Sequence, residues 1–159
     1  MSAGRSVSGT LCVAIVMRDS DPVAGSDCVF CDIVANRSPA WFLYRDSTAC
    51  SFLDVEPVRA GHSLVVPNKH VVDLIDEGAA TALTGMAEAL QFTATLLKQR
   101  LPADGISIFQ SNGAAAGQSI AHLHFHLVPR RDGDGRLTSN WSSSPADTRD
   151  LKATHELLI

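Results

Sequence analysis

His122, His124 and His126 stand at alternate positions in the run from Ile120 to Val128, with Leu123, Phe125 and Leu127 between them. That alternation predicts a strand over Ile120–Val128, because successive side chains on a strand point to opposite faces. One face would belong to the core, and the other would carry a row of imidazoles that packing does not require. Two chemistries suit such a row. Neutral rings can ligate a metal, as three-histidine zinc sites do. Alternatively, one ring can attack phosphorus and hold it as a phosphoramidate that water later cleaves. Imidazoles this close resist carrying several positive charges together, which keeps an attacking ring neutral at working pH. The flanks favour a phosphate. From Gly105 to Arg131 the chain contains neither aspartate nor glutamate, so nothing there repels an anion. The loop Asn112-Gly113-Ala114-Ala115-Ala116-Gly117-Gln118-Ser119 offers backbone amides, side-chain amides and a hydroxyl just before the strand. A second reactive pair, Cys28-x-x-Cys31, supplies either half of a zinc site or a redox couple. No thioredoxin-like βαβ pattern surrounds it. Cys12 and Cys50 do not extend it into the dense framework of a secreted disulfide protein.

The elements that must position these groups are legible from pattern. Asp32 to Asn36 continue a short helix from the cysteine pair until Ser38-Pro39 breaks it. Trp41–Tyr44 and Cys50–Leu53 read as strands around the turn-rich Arg45-Asp46-Ser47, and Gly61–Pro67 reads as a third. From Glu77 to Arg100, Leu83, Met86, Leu90, Ala94 and Leu97 recur at helical spacing. Gly105–Gln110 is extended. Ser144-Pro145 predicts the N-cap and first residue of a last helix carrying Leu151, Leu157 and Leu158. Strands outnumber helices and the long helix is an excursion between them, which predicts an α+β fold with a mainly antiparallel sheet.

With 159 residues and a 45% hydrophobic share, the chain has material for one domain with a real core. A formal charge of −4 without a lysine-arginine cluster argues against a nucleic-acid polymer as partner, and no apolar run approaches the length of a membrane helix. Residues 1–26 are set apart as an N-terminal extension. Arg5 precedes an apolar run, Leu11–Met17, that is short for a secretory signal and lacks a small-x-small cleavage site. Disorder or translation from Met17 is the plainer expectation. The domain is assigned to residues 27–159, with its core in 28–131.

His122-Leu123-His124-Phe125-His126-Leu127-Val128 resembles the histidine-triad motif, three histidines alternating with apolar residues. Leu53-Asp54, Gly61-His62-Ser63-Leu64-Val65-Val66-Pro67, Asn112-Gly113 and Gly117-Gln118-Ser119 agree with that superfamily in order and spacing. The resemblance implies a five-stranded antiparallel half-barrel with one long helix and a C-terminal helix, paired into a homodimer. It also implies a cytoplasmic hydrolase or transferase acting at the α-phosphate of a purine nucleotide or nucleotide conjugate. On that resemblance His124 attacks phosphorus, His126 binds a phosphate oxygen, and Ser119 and Gln118 contact the phosphate or leaving group beside Gly117. Asp54 takes the ribose hydroxyls, and His62 and Asn112 line the phosphate pocket. Members with a leading Cys-x-x-Cys imply a structural Zn2+ held by Cys28, Cys31, His70 and His122. That set is closed, with no position left for water, so it assigns His122 to zinc and leaves His124 for chemistry. Cleavage of P–N and of P–O–P bonds both stay open. A nucleotide-binding interaction protein and a metallohydrolase using all three histidines are the rival classes.

Overall fold

The computed structural model describes residues 28–137 and 141–159, so the extension over residues 1–26 lies outside the described residues. The chain runs α1 (Val29–Val34), β1 (Phe42–Arg45), β2 (Ala49–Leu53), β3 (Ser63–Pro67), α2 (Ala79–Arg100), β4 (Gly105–Phe109), a 3-10 turn (Ala114–Ala116), β5 (Phe125–Arg130) and α3 (Thr148–Leu158). The five strands form one sheet in the order β1-β2-β3-β5-β4, and every neighbouring pair is antiparallel. The architecture is α+β, with α2 as the excursion between β3 and β4 and with β5 returning to lie between them. No helix among the described residues is long and apolar enough to cross a membrane.

Local chemistry explains the joints. Asp46 Oδ1 accepts from the Thr48 and Ala49 amides at 2.6 and 2.8 Å, which closes the β1–β2 turn. Asn36, at φ 57°, carries the chain away from the end of α1, a left-handed conformation that asparagine tolerates. Gly61 turns the chain into β3 at φ +86°, where a Cβ would meet Leu101 Cδ1 at 2.3 Å. The left-handed conformation is what favours glycine there, and the close Leu101 side chain adds to it.

β2 and β3 are buried on both faces. On one face Ala49, Leu53, Val65, Leu127 and the α2 residues Met86, Ala89 and Leu97 form the larger core. On the other, Cys50, Phe52, Leu64 and Val66 pack against Phe30 and Ile33 of α1. Of the expected α2 stripe, Met86 and Leu97 are buried, but the contact line runs through Ala89 and Thr93. Small residues bring the helix close to the sheet, close enough for Thr93 Oγ1 to donate to Ser51 Oγ at 2.7 Å inside the core.

Three boundaries differ from the pattern-based expectation. The first helix is Val29–Val34, starting directly after Cys28. The last strand is Phe125–Arg130, so the alternation over Ile120–Val128 overstates it. Pairing runs out there on both sides: β4 ends at Phe109, opposite His126, and β3, though it continues to Pro67, pairs with β5 no further than Val65 with Phe125. His122 and His124 therefore precede the ladder. The last helix begins at Thr148, not Pro145, because the Asp147 carboxylate caps it by accepting from the Arg149 amide at 2.7 Å.

Candidate functional site

The segment entering β5 is flanked by two clusters. At its N-terminal side, Cys28 just ahead of α1, Cys31 on α1, His70 beyond β3, and His122 converge. Cys28 Sγ lies 3.4 Å from His122 Nδ1, and Cys31 Sγ lies 3.2 Å from His70 Nδ1 and 3.6 Å from His122 Nδ1. Zinc bonded to sulfur at 2.3 Å and nitrogen at 2.0–2.1 Å in tetrahedral geometry sets its S and N ligands about 3.6 Å apart, so the donors present fit the ion. His122 Nε2–H donates to the Pro67 carbonyl at 3.0 Å. A carbonyl only accepts, so the proton sits on Nε2 and the Nδ1 lone pair faces the thiols, the orienting contact typical of metal-bound histidine. Burial and the neighbouring Cys28 push the Cys31 thiol above its ordinary range. Two adjacent thiolates need a cation to coexist.

At the C-terminal side lie His124, His126, His62 and Asp54. His126 is on β5, directly opposite Leu64 of β3 and Phe109 of β4. His62, two residues before Leu64, therefore shares its face, and His62 Nε2 sits 2.9 Å from His126 Nδ1. The Val58 amide donates to His62 Nδ1 at 3.3 Å. Nδ1 is then the acceptor, Nε2–H donates to His126 Nδ1, and the His126 proton is left on Nε2. His124 Nδ1–H donates to the His122 carbonyl at 2.6 Å, which leaves His124 Nε2 as a free lone pair. Asp54 Oδ2 lies 3.5 Å from His62 Nδ1 and 3.9 Å from His126 Nδ1, while Oδ1 accepts from the Glu56 amide at 2.9 Å.

Burial dominates the electrostatics. It lowers His62 to about 4 and, aided by the charges His124 and His62 would carry, lowers His126 to about 3. It also lowers His124, against the opposing pull of the His122 carbonyl. Mutual repulsion thus ranks second to desolvation in keeping these rings neutral. Asp54 is pushed up to about 6 by burial, against the Glu56 amide.

The loop residues behave differently from the histidines. Gln118 ties the loop to the segment beyond β3: Nε2 donates to Val72 O and Ile120 O at 2.7 and 3.1 Å, and Oε1 accepts from the Gly113 amide at 2.7 Å. Asn112 Oδ1 accepts from the Leu74 amide at 2.8 Å, and Nδ2 donates to Gln110 Oε1 at 2.9 Å. Gly117 is at φ +92°, which sets the turn without any steric demand on its Cβ. Ser119 is exposed, and its hydroxyl makes no hydrogen bond among the described residues. Sequence reasoning gave Trp141 no role, yet its ring packs edge-on against His126, Phe109 and His62, with centroids at 5.1, 5.2 and 5.8 Å. A lone indole ahead of Ser142-Ser143-Ser144 was the available signal. Phe30 was also missed; its ring meets both His122 and His124 at 5.8 and 5.3 Å. A cleft of about 400 Å³ between the β2–β3 loop and α3 reaches Asp54 and His62 but neither His124 nor His126.

Residues 35–133 match the HIT domain. An uncharacterized HIT-like protein of Methanocaldococcus jannaschii is 40% identical over 110 residues, covering 69% of this chain and 84% of that protein. The adenosine 5′-monophosphoramidase of Saccharomyces cerevisiae is 30% identical over 135 residues, covering 83% of this chain and 80% of that one. Among solved structures, a Zn-bound histidine triad family protein from Mycobacterium smegmatis superposes with a TM-score of 0.69 at 35% identity, covering 83% of this chain and 93% of that one. The triad geometry and these similarities agree: the chain belongs to the histidine-triad, or HIT domain, family.

Proposed function

We propose that this protein hydrolyses nucleoside 5′-phosphate derivatives at the α-phosphate through a nucleotidyl-His124 intermediate, with P–N phosphoramidates as the preferred class. The observation that carries this reading is the 2.6 Å bond from His124 Nδ1–H to the His122 carbonyl. It fixes the ring, keeps the Nε2 lone pair free for attack, and stabilises the positive charge the ring acquires once Nε2 bonds to phosphorus. As that bond forms, the bond from phosphorus to the leaving group breaks. His126, with its proton on Nε2 and 21% of its side chain exposed, hydrogen-bonds a phosphoryl oxygen. Asp54 accepts the ribose hydroxyls. Ser119 supplies a hydroxyl toward the leaving group, while Gln118 and Asn112 act through the loop they hold. Water then attacks phosphorus, the N–P bond breaks with its electron pair returning to Nε2, and the proton that water gives up balances the one the departing amine takes up.

Cys28, Cys31, His70 and His122 hold a structural Zn2+ in this reading. His122 links the two clusters, its ring turned to the thiols and its carbonyl to the nucleophile. The P–N preference draws support from the phosphoramidase relative. It also draws support from Arg130, whose side chain is engaged by Asp134 and the Gly135 carbonyl and is not offered to a second nucleotide. The expected homodimer has an edge to use, since β4 is the last strand of the sheet and Ile108 on it is half exposed.

The test is a turnover panel of an adenosine 5′-phosphoramidate, a dinucleoside polyphosphate and a nucleotide sugar. The reading expects the phosphoramidate to have the highest kcat/KM. Binding of AMP without turnover of any of the three would make the protein a nucleotide-binding module instead.

A further inference from the structure

Asp54, His62 and His126 place one carboxylate and two imidazoles so that one donor atom from each lies within 4.8 Å of the others. His126 Nδ1 lies 2.9 Å from His62 Nε2 and 3.9 Å from Asp54 Oδ2, and the same carboxylate oxygen approaches the other nitrogen of the His62 ring, Nδ1, at 3.5 Å. Nitrogen or oxygen donors sharing a metal at about 2.1 Å sit roughly 3.4 Å apart in tetrahedral geometry, so the 2.9 and 3.9 Å separations from His126 Nδ1 bracket what an ion needs. The donor set differs in kind from the cysteine-histidine cluster. It has no thiolate, and three protein ligands leave a coordination position open, as in zinc sites that exchange water or substrate. Only the fold assembles it: Asp54 follows β2, His62 precedes β3 and His126 lies on β5.

We propose that Asp54, His62 and His126 form a second, reversible transition-metal site whose occupation excludes the nucleotide. The exclusion rests on the proposed function, in which Asp54 and His126 are the groups that receive ribose and phosphate. Ligation replaces the hydrogen bond between the two rings. The His62 proton moves from Nε2 to Nδ1, beside Asp54, at the expense of the long bond from the Val58 amide. Both rings stay neutral and no proton leaves the protein. A nucleotide and an ion then compete for Asp54 and His126.

The experiment is equilibrium dialysis of the zinc-loaded protein against Co2+, read by metal analysis and visible absorption, with and without AMP. The expected result is one further equivalent of cobalt, with ligand-field bands but no thiolate charge-transfer band, and its displacement by AMP. Asp54→Asn and, separately, His62→Gln weaken that second equivalent at least about tenfold while leaving the zinc content unchanged. Absence of a second equivalent overturns the inference, as does a second equivalent that is indifferent to both substitutions or to AMP. Failure of the zinc-loaded protein to bind AMP in the absence of cobalt would instead count against the nucleotide site itself, so the two ideas fail separately.

Discussion

Two clusters of imidazoles lie two residues apart on one segment, and their partners give them opposite characters. At His122 the ring proton is held by the Pro67 carbonyl and the free nitrogen meets two thiols, so every donor points inward to one place. At His124 the ring proton is held by the His122 carbonyl, and the free nitrogen meets no partner among the described residues. Each ring is fixed by a single carbonyl, but one is fixed into a closed set and the other is left with a lone pair to spend. The motif of alternating histidines does not distinguish the two. What separates them is which ring nitrogen the backbone captures and what stands opposite the other.

That contrast is open to attack, beginning with its reactive half. His124→Asn keeps the size and polarity of the side chain but removes the nucleophile. Turnover of an adenosine phosphoramidate should fall by about 10⁴-fold, in the range seen when a covalent catalyst is deleted, with zinc content and Tm unchanged. If Tm falls along with activity, His124 belongs to the structural half.

The closed half is tested by Cys28→Ser and Cys31→Ser. Each should abolish stoichiometric zinc and lower Tm by about 10 °C. Activity should fall by a further 10- to 100-fold at temperatures where the variants remain folded, because His122 then orients His124 less well. Unchanged kcat in a zinc-free, folded variant would show that the two halves are independent.

Asp54 gives the pH arm. Its carboxyl is pushed up to about 6, so it is ionised and accepting above that pH and gains a proton below it. Since kcat/KM reports the free enzyme, it should decline as pH falls through about 6. Asp54→Asn should lower kcat/KM roughly tenfold, the worth of one hydrogen bond to a charged group, and remove that limb of the profile. A limb that persists in the variant belongs to another group.

The smallest effect is expected at Trp141. Trp141→Ala removes an indole edge from His126 and His62 and should raise KM a few-fold with little change in kcat, consistent with about 0.5–1.5 kcal/mol for an aromatic contact. A large loss of kcat would instead make the indole a determinant of His126 orientation.

Much of this arrangement was legible because it depends on residue type and spacing. Hydrophobic runs and turn residues give the strands, helical spacing gives α2, and the triad with Cys-x-x-Cys names five residues of the two clusters, while Asp54, His62 and His70 come with the family resemblance. Other features depend on tertiary partners. The strand carrying His126 is shorter than its alternation, because its pairing stops at Val65 of β3 and at Phe109, the end of β4. The helix starting at Thr148 ignores Pro145, because a carboxylate two residues further on caps it. The amides of Gln118 and Asn112 read as phosphate donors in one dimension, and the fold also ties them to Val72 and Leu74 of the segment beyond β3. The backbone groups that select the tautomers, the carbonyls of Pro67 and His122 and the amide of Val58, have no side-chain signature at all.

The central claim is that His124, and not its neighbours, takes the nucleotidyl group. It is tested most directly by rapid quench of wild-type protein with excess adenosine phosphoramidate under conditions that preserve a phosphorus–nitrogen bond, followed by peptide mass spectrometry. The account predicts one adenylyl group per chain on the peptide bearing His124, located at that residue by fragmentation and absent from His124→Asn. An adduct on another residue, or undiminished turnover by His124→Asn, would contradict it.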